Sequence, residues 1–344
     1  MPLDLIPDAV ARLRSGGLVA FPTETVYGLG ADALNPYAVE RVFAVKGRPI
    51  NNPLIVHVTG VEMAQRLVQA WPADAATLAQ AFWPGPLTLV LPRSARVPAV
   101  VAGGGANVGI RCPDHPVAMA LLFAFGGPLV GPSANKSGGV SPTRAEHVRE
   151  QFADDVVLTL DGGACATGIE STVLLLAGGQ AGVPTILRPG VIGPEAIAQV
   201  LRRPVAMASG LALPVPSAGT ADMGGAQARP LDAPGLLASH YAPHARAALF
   251  NEWDEVEEFT EEAGGPVVVL SHSVAAEQGA WELIPMPHDA LQYAACLYSA
   301  MRSADDTNPA LILIQRPPAE GETPEETAVW HAIADRLCRA TAAR

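Results

Sequence analysis

Two stretches near the N-terminus concentrate small hydroxyls, glycines and cations in a pattern that suits a site for a zwitterion together with phosphates. They are FPTETVYGLGADA at 21–33 and KGRPINNPLIVHV at 46–58. A strand ending in Pro22 would deliver Thr23, Glu24 and Thr25, Gly28 and Gly30 would allow tight turns, and Lys46 and Arg48 stand in a Gly/Pro-rich loop before the next strand. Hydroxyls orient polar groups, while ammonium and guanidinium groups neutralise anionic oxygens. Either stretch alone also fits a polar turn with a solvated Lys/Arg pair. Lysine usage favours the site: the chain has 20 arginines and two lysines, Lys46 and Lys136, both in Gly/Ser/Pro-rich loops. A lysine kept against that background suits a compact ammonium. As exposed loop cations, Lys46 and Arg48 are expected to serve chemistry and leave the fold indifferent, since such groups stabilise by about 1 kcal/mol or less.

A second group of segments comprises NVGIRCP (107–113), LVGPSANKSGGVSPT (129–143), GIESTV (168–173) and ILRPG (186–190). Each offers a hydroxyl, an amide or a guanidinium beside Gly or Pro at a strand edge, so backbone N–H groups and side chains can converge on anionic oxygens. For Arg111 and Arg188 a partly buried salt bridge is an equal alternative. No phosphate-binding G-x-x-x-x-G-K-[ST] is present, and Gly103-Gly104-Gly105 lacks the spacing of a dinucleotide fingerprint. His240 and His244 have metal-like spacing, but Pro243 spoils a shared helix and no third ligand is evident. The four cysteines lie far apart with no C-x-x-C pair, as scattered reduced thiols do.

Apolar periodicity predicts the elements that must position these groups. Helices are expected at 7–14, 36–45 (capped by Asn35), 61–69, 72–82, 116–125, 143–152 and 194–202. Strands are expected at 18–21, 54–58, 87–91, 108–110, 129–131, 156–160, 172–176 and 185–187. This is an α/β domain around a mixed sheet. From about Pro204 to Pro234 no period survives, which predicts a linker or long loop. Beyond it, strands at 247–250, 267–270 and 311–314 alternate with helices at 254–263, 288–303 and 324–340, a small parallel domain of Rossmann-like type. The expected division is 1–205, a linker at 206–243, and 244–344.

Composition limits the function classes. The chain of 344 residues is 49% hydrophobic and 16% charged, with a net charge of −12 and a mean hydropathy of +0.23. The most apolar stretch, 117–130, is broken by Gly126, Gly127 and Pro128 and is too short for a bilayer. The N-terminus carries Asp4 and Asp8 where a signal peptide would be basic; a cytoplasmic enzyme is expected. Residues 1–205 carry 15 basic and 15 acidic side chains, so the whole surplus lies in 206–344, with 7 basic and 19 acidic. Neither half suits strong direct nucleic-acid binding.

Taken in order and spacing, FPTETVYGLG, KGRP, NPL, HV, GIRCP, GPSAN, GIESTV and LRPG resemble the YrdC-like threonylcarbamoyl-AMP synthases over about residues 8–203. HYAP at 240–243 followed by a small α/β domain is similar to the long, two-domain form. The resemblance implies a nucleotidyltransferase that makes threonylcarbamoyl-AMP and pyrophosphate from L-threonine, bicarbonate and ATP. A separate tRNA threonylcarbamoyl transferase complex would then modify the adenosine beside the anticodon. It further implies that Thr25, His57, Arg111, Gly131 (through its backbone) and Ser171 hold threonine, and that Lys46 and Arg48 meet the phosphates as catalytic cations. Asn52, Asn107, Ser133, Asn135, Ser141, Arg188 and Tyr241 would bind nucleotide, with Asn107 standing where the family more often has threonine and Lys136 nearby. Mg2+ would arrive with ATP, and no tightly bound organic cofactor or protein-held metal is implied. An RNA-binding module is the alternative of another class, disfavoured by the charge. Carbamoyl transfer of the hydrogenase-maturation type is disfavoured because its cysteine-pair zinc motifs and acylphosphatase-like region are missing.

Overall fold

The computed structural model describes residues 2–176, 182–208, 240–273 and 279–342. Most of the expected linker, 209–239, therefore lies outside the described residues. The first 207 residues contain α1 (Ile6–Arg14), β1 (Leu18–Phe21), β2 (Gly28–Asp32), α2 (Pro36–Lys46), β3 (Ile55–His57), α3 (Val61–Gln65), α4 (Ala73–Phe82), β4 (Leu87–Pro92) and β5 (Asn107–Arg111). They continue with α5 (Pro116–Phe125), β6 (Leu129–Val130), α6 (Ala145–Arg149), β7 (Val157–Thr159), β8 (Thr172–Leu175), β9 (Thr185–Arg188), α7 (Pro194–Leu201) and β10 (Ala206–Met207). Their ten strands form one mixed sheet in the order β10-β9-β8-β4-β5-β3-β6-β2-β1-β7.

Three strands among the described residues were not foreseen. Residues 28–32 form a strand paired antiparallel with β1 although their sequence, GLGAD, has the look of a turn. The glycines are required by packing: a Cβ on Gly30 would lie 2.9 Å from the Val19 carbonyl oxygen, and one on Gly28 would press on the Phe21 ring. β10 is a two-residue edge that carries the first sheet to residue 207.

The sheet's two faces differ. On one, Leu18, Leu29, Val56, Leu89, Ile110 and Leu174 join side chains of α2 and α4 in the main core. On the other, α1 and α5 cover only the part that carries Val19, Phe21 and Leu129. The remainder holds a small cluster of Ile55, Val90, Val173 and Leu187. Because side chains alternate along a strand, His57 shares this thinly covered face with Ile55.

The second unit has β11 (Ala247–Phe250), α8 (Trp253–Ala263), β12 (Val267–Ser271), β13 (Trp281–Pro285), α9 (Ala290–Asp306), β14 (Leu311–Gln315) and α10 (Pro324–Ala340). Its sheet is all parallel, in the order β11-β14-β12-β13. The unforeseen strand here, β13, is an edge strand largely open to solvent, so its sequence lacks a buried run. The two units share a core: Val26, Val140 and Ile169 of the first pack with α9 and α10 side chains of the second. The approach is close at Gly168, whose φ of +76° favours glycine and whose Cβ would lie 2.2 Å from the Ala294 carbonyl oxygen.

Candidate active site

The thinly covered face and the loops at its rim border a cleft lined by Thr25, Arg48, His57, Arg111, Gly131, Ser133, Ser171, Arg188, His240 and Tyr241 among others. Local sequence sets the end of α2, from which Arg48 reaches the cleft. Asn35 caps α2 by accepting from Tyr37 N and Ala38 N, with Pro36 in the first turn, and Gly47 ends the helix at a φ of 64°. That left-handed residue separates Lys46, the last helical residue, from Arg48. The expectation that both cations are exposed is corrected: Lys46 is 2% exposed and Arg48 8%. Lys46 Nζ donates to the carbonyls of Ser133 and Asn135, each at 2.5 Å. Lys136 Nζ donates in return to Val45 O, and Ser137 N to Lys46 O. The two lysines thus lace the end of α2 to the GPSAN loop, and Lys46 braces the cleft wall. Arg48 donates from Nε to Asn52 O, and from Nη2 to Asn52 Oδ1 and Pro53 O.

Electrostatics divides the cleft. Among the described residues neither Lys46 nor Arg48 has a carboxylate partner within ion-pair distance. Burial, reinforced by Arg48 and Lys136, pushes the Lys46 ammonium well below its ordinary pKa. Burial likewise lowers Arg48 to about 10, with Arg188 contributing, and lowers Arg188. Buried cations held this way gain when an anion arrives. Arg111 differs. Its Nη2 lies 2.7 Å from Glu24 Oε1, its Nη1 donates to Thr25 Oγ1 at 2.9 Å and its Nε to Gly85 O at 3.2 Å. That fixes the guanidinium plane and leaves part of its five-donor fork unused. His57 is edge-on to Phe21, with ring centroids 5.4 Å apart. Its Nδ1 is buried without a partner. Burial, then Arg111, lowers its pKa to about 3, so the ring is neutral at physiological pH.

Ser171, immediately before β8, shares a hydrogen bond with Thr88 Oγ1 at 2.8 Å, while Arg188 Nη2 donates to its carbonyl at 2.9 Å and its Oγ at 3.2 Å. Tyr241 closes the cleft from the HYAP segment at a φ of 62°, a conformation a non-glycine residue adopts at a cost. It is 1% exposed and its hydroxyl has no partner. The segment is tied to both units: His240 N donates to Arg339 O and Ala242 N to Gly138 O. Of the histidine pair with metal-like spacing, His240 is buried beside the cleft. His244 instead pairs with Asp305 at 2.8 Å. Among the described residues no cluster of three or more His, Cys, Asp or Glu can hold a metal ion.

Asn52, Asn135 and Ser141 lie behind the cleft wall. Asn135 Nδ2 donates to the carbonyls of Lys136 and Gly139, and Ser141 Oγ donates to Glu170 at 2.6 Å. Asn107 is not brought to the cleft: it begins β5, opposite Pro92, four residues along the strand from Arg111. Sequence reasoning gave no role to Glu24 or Glu170. Glu170 accepts from Ser141, from Tyr298 Oη at 3.0 Å and from Arg336 Nε at 2.8 Å. Burial raises its pKa, but Arg336, Arg188 and these hydrogen bonds prevail and bring it to about 2. The available signal was an acidic residue inside each otherwise uncharged motif, PTET and IEST.

Comparison with known proteins identifies the family. Residues 11–190 match a family model described as Telomere recombination, the Sua5, YciO and YrdC family. Residues 192–342 match the Threonylcarbamoyl-AMP synthase C-terminal domain. A threonylcarbamoyl-AMP synthase of Pyrococcus abyssi is 39% identical over 98% of this chain and 94% of the relative. One of Bacillus subtilis is 38% identical over 98% and 93%. The crystal structure of Pyrococcus abyssi Sua5 complexed with L-threonine matches with a TM-score of 0.84 at 36% identity, covering 98% of this chain and 94% of that one. The chain therefore belongs to the threonylcarbamoyl-AMP synthases of the two-domain Sua5 type.

Proposed function

We infer that this chain is a nucleotidyltransferase that converts L-threonine, bicarbonate or CO2, and ATP into threonylcarbamoyl-AMP and pyrophosphate. The observation that carries the reading is the pairing, in one cleft, of a buried cation with no carboxylate partner among the described residues (Arg48, with Lys46 behind the wall) and an arginine already oriented by a carboxylate (Arg111 by Glu24). The first suits a triphosphate, and the second suits the carboxylate of an amino acid.

In this reading the unused donors of Arg111 take the threonine carboxylate, while Thr25, Ser171, neutral His57 and the Gly131 backbone meet its other polar groups. Threonine's amine adds to CO2, losing a proton, and gives a carbamate. A carbamate oxygen then bonds to the α-phosphorus of ATP as the bond to the pyrophosphate oxygen breaks in line. Arg48 and Arg188 neutralise the charge that passes to pyrophosphate, and Lys46 holds Ser133 and Asn135 against the nucleotide. Catalysis is by positioning and charge neutralisation, the usual resource of such transfers. Mg2+ enters as part of the nucleotide substrate, coordinated by its phosphates. Tyr241, with its unpartnered hydroxyl, lies over the nucleotide.

The product is a reactive mixed anhydride, so its consumer is a separate transferase complex that delivers the threonylcarbamoyl group to tRNA. The strongly acidic second half of the chain supports a division in which this protein does not itself hold the tRNA. The reaction draws on cytoplasmic ATP and threonine, and no helix among the described residues is long and apolar enough to cross a membrane. Incubation with ATP, threonine and 14C-bicarbonate should yield a labelled nucleotide with the mass of threonylcarbamoyl-AMP. Absence of label from any nucleotide would refute the assignment.

A further inference from the structure

Two of the cleft's walls are held from behind by the second unit. Arg336 of α10 is fully buried, far from the reacting groups in sequence, and reaches across the interface. Its Nε donates to Glu170 Oε2 at 2.8 Å and its Nη2 to Pro189 O at 2.9 Å. Glu170 directly precedes Ser171, and Pro189 directly follows Arg188, so one guanidinium clamps the two segments that supply a hydroxyl and a cation to the cleft. The same guanidinium lies under the Tyr241 ring, 5.3 Å from its centroid. Tyr298 of α9, which donates to the same Glu170 oxygen, stacks on that ring at 5.8 Å. Asp335 completes the charge balance at Nη1 and is itself held by Arg339. The packing role of this interface is already supplied by the apolar side chains of α9 and α10; a buried ion pair is weak support for stability compared with apolar residues of similar volume. What the fork adds is geometry, because two N–H groups in one rigid plane fix the spacing of Glu170 and Pro189.

We propose that Arg336 is a positioning residue for the nucleotidyl transfer: through Glu170 and Pro189 it sets the separation of Ser171 and Arg188, and it seats Tyr241 above them. This rests on the function proposed above. The test compares the full chain with Arg336→Lys, which keeps the charge but loses the fork, and with the double variant Arg336→Met/Glu170→Gln, which removes both charges without leaving a buried carboxylate of this pair. Folded variants are expected to lose kcat for pyrophosphate release by ten- to a hundredfold, as misplacement of about 1 Å does. Amide-exchange protection at 168–173 and 186–190 is expected to fall, while that of β3 and β5 holds. Wild-type kinetics and protection in either folded variant overturns the proposal, and failure of both variants to fold overturns it in favour of a structural role. An inactive wild-type protein instead counts against the proposed function, and the exchange data then still decide whether Arg336 orders the two segments.

Discussion

Replacing Gly131 by alanine is expected to damage threonine binding selectively. An added Cβ would lie 2.7 Å from both Cε1 and Nδ1 of His57 and 2.9 Å from Cζ of Phe21. Carbon atoms pack at about 3.5–4.0 Å, so the imidazole must move by roughly 1 Å. It has little room to do so: the ring is buried and sits edge-on to Phe21, which is itself fully buried. Overpacking of this kind costs about 1–3 kcal/mol of stability, and a displacement of that size in a group that orients substrate costs up to about a hundredfold. The three atoms nearest the new methyl group belong to His57 and Phe21 and none to the nucleotide-side cations, so ATP binding should stay within about twofold of wild type. Calorimetric titration with threonine, beside titration with ATP, reads the two separately. A folded variant with unchanged threonine affinity would show that the His57–Gly131 wall is not the threonine pocket.

The remaining predictions concern the cations, a hydroxyl and pH. Lys46→Ala and Arg48→Ala should each abolish pyrophosphate release and also lower the denaturation midpoint, because each strands buried carbonyls at about 1–3 kcal/mol; variants as stable as wild type would contradict the burial described here. Ser171→Ala should raise KM for threonine about tenfold with a smaller effect on ATP, and an effect confined to ATP would reassign Ser171. His57 and His240 are both lowered from 6.5 to about 3, chiefly by burial. The unfolded chain thus takes up protons that the folded chain refuses, and stability is full above pH 6.5 and lost as pH falls toward 3. At pH 5 each histidine costs about 2 kcal/mol. Glu170, lowered from 4.5 to about 2, adds a further loss below pH 4.5. Urea midpoints that do not change between pH 7.5 and pH 5 would exclude this.

The sequence carried the site's residue types and most of the elements that place them, since α2 with its Asn35 cap and the apolar runs of β1, β4, β5 and β8 are local signals. What it hid was set by packing at a distance. Gly28–Asp32 has no strand composition because its glycines make room for Phe21 and the β1 backbone. The burial of Lys46 and Arg48 depends on carbonyls that the fold folds around them. Glu170 and Arg336 are separated by a whole domain in sequence, and nothing local marks either as the other's partner.

The decisive measurement is pyrophosphate release by the purified chain, with threonine, bicarbonate and ATP present and then each omitted in turn. Release is expected only when all three are present, with threonine omission reducing it to background. Release that is indifferent to threonine and bicarbonate would make the protein a simple nucleotide hydrolase and contradict the assignment of the Arg111 side of the cleft.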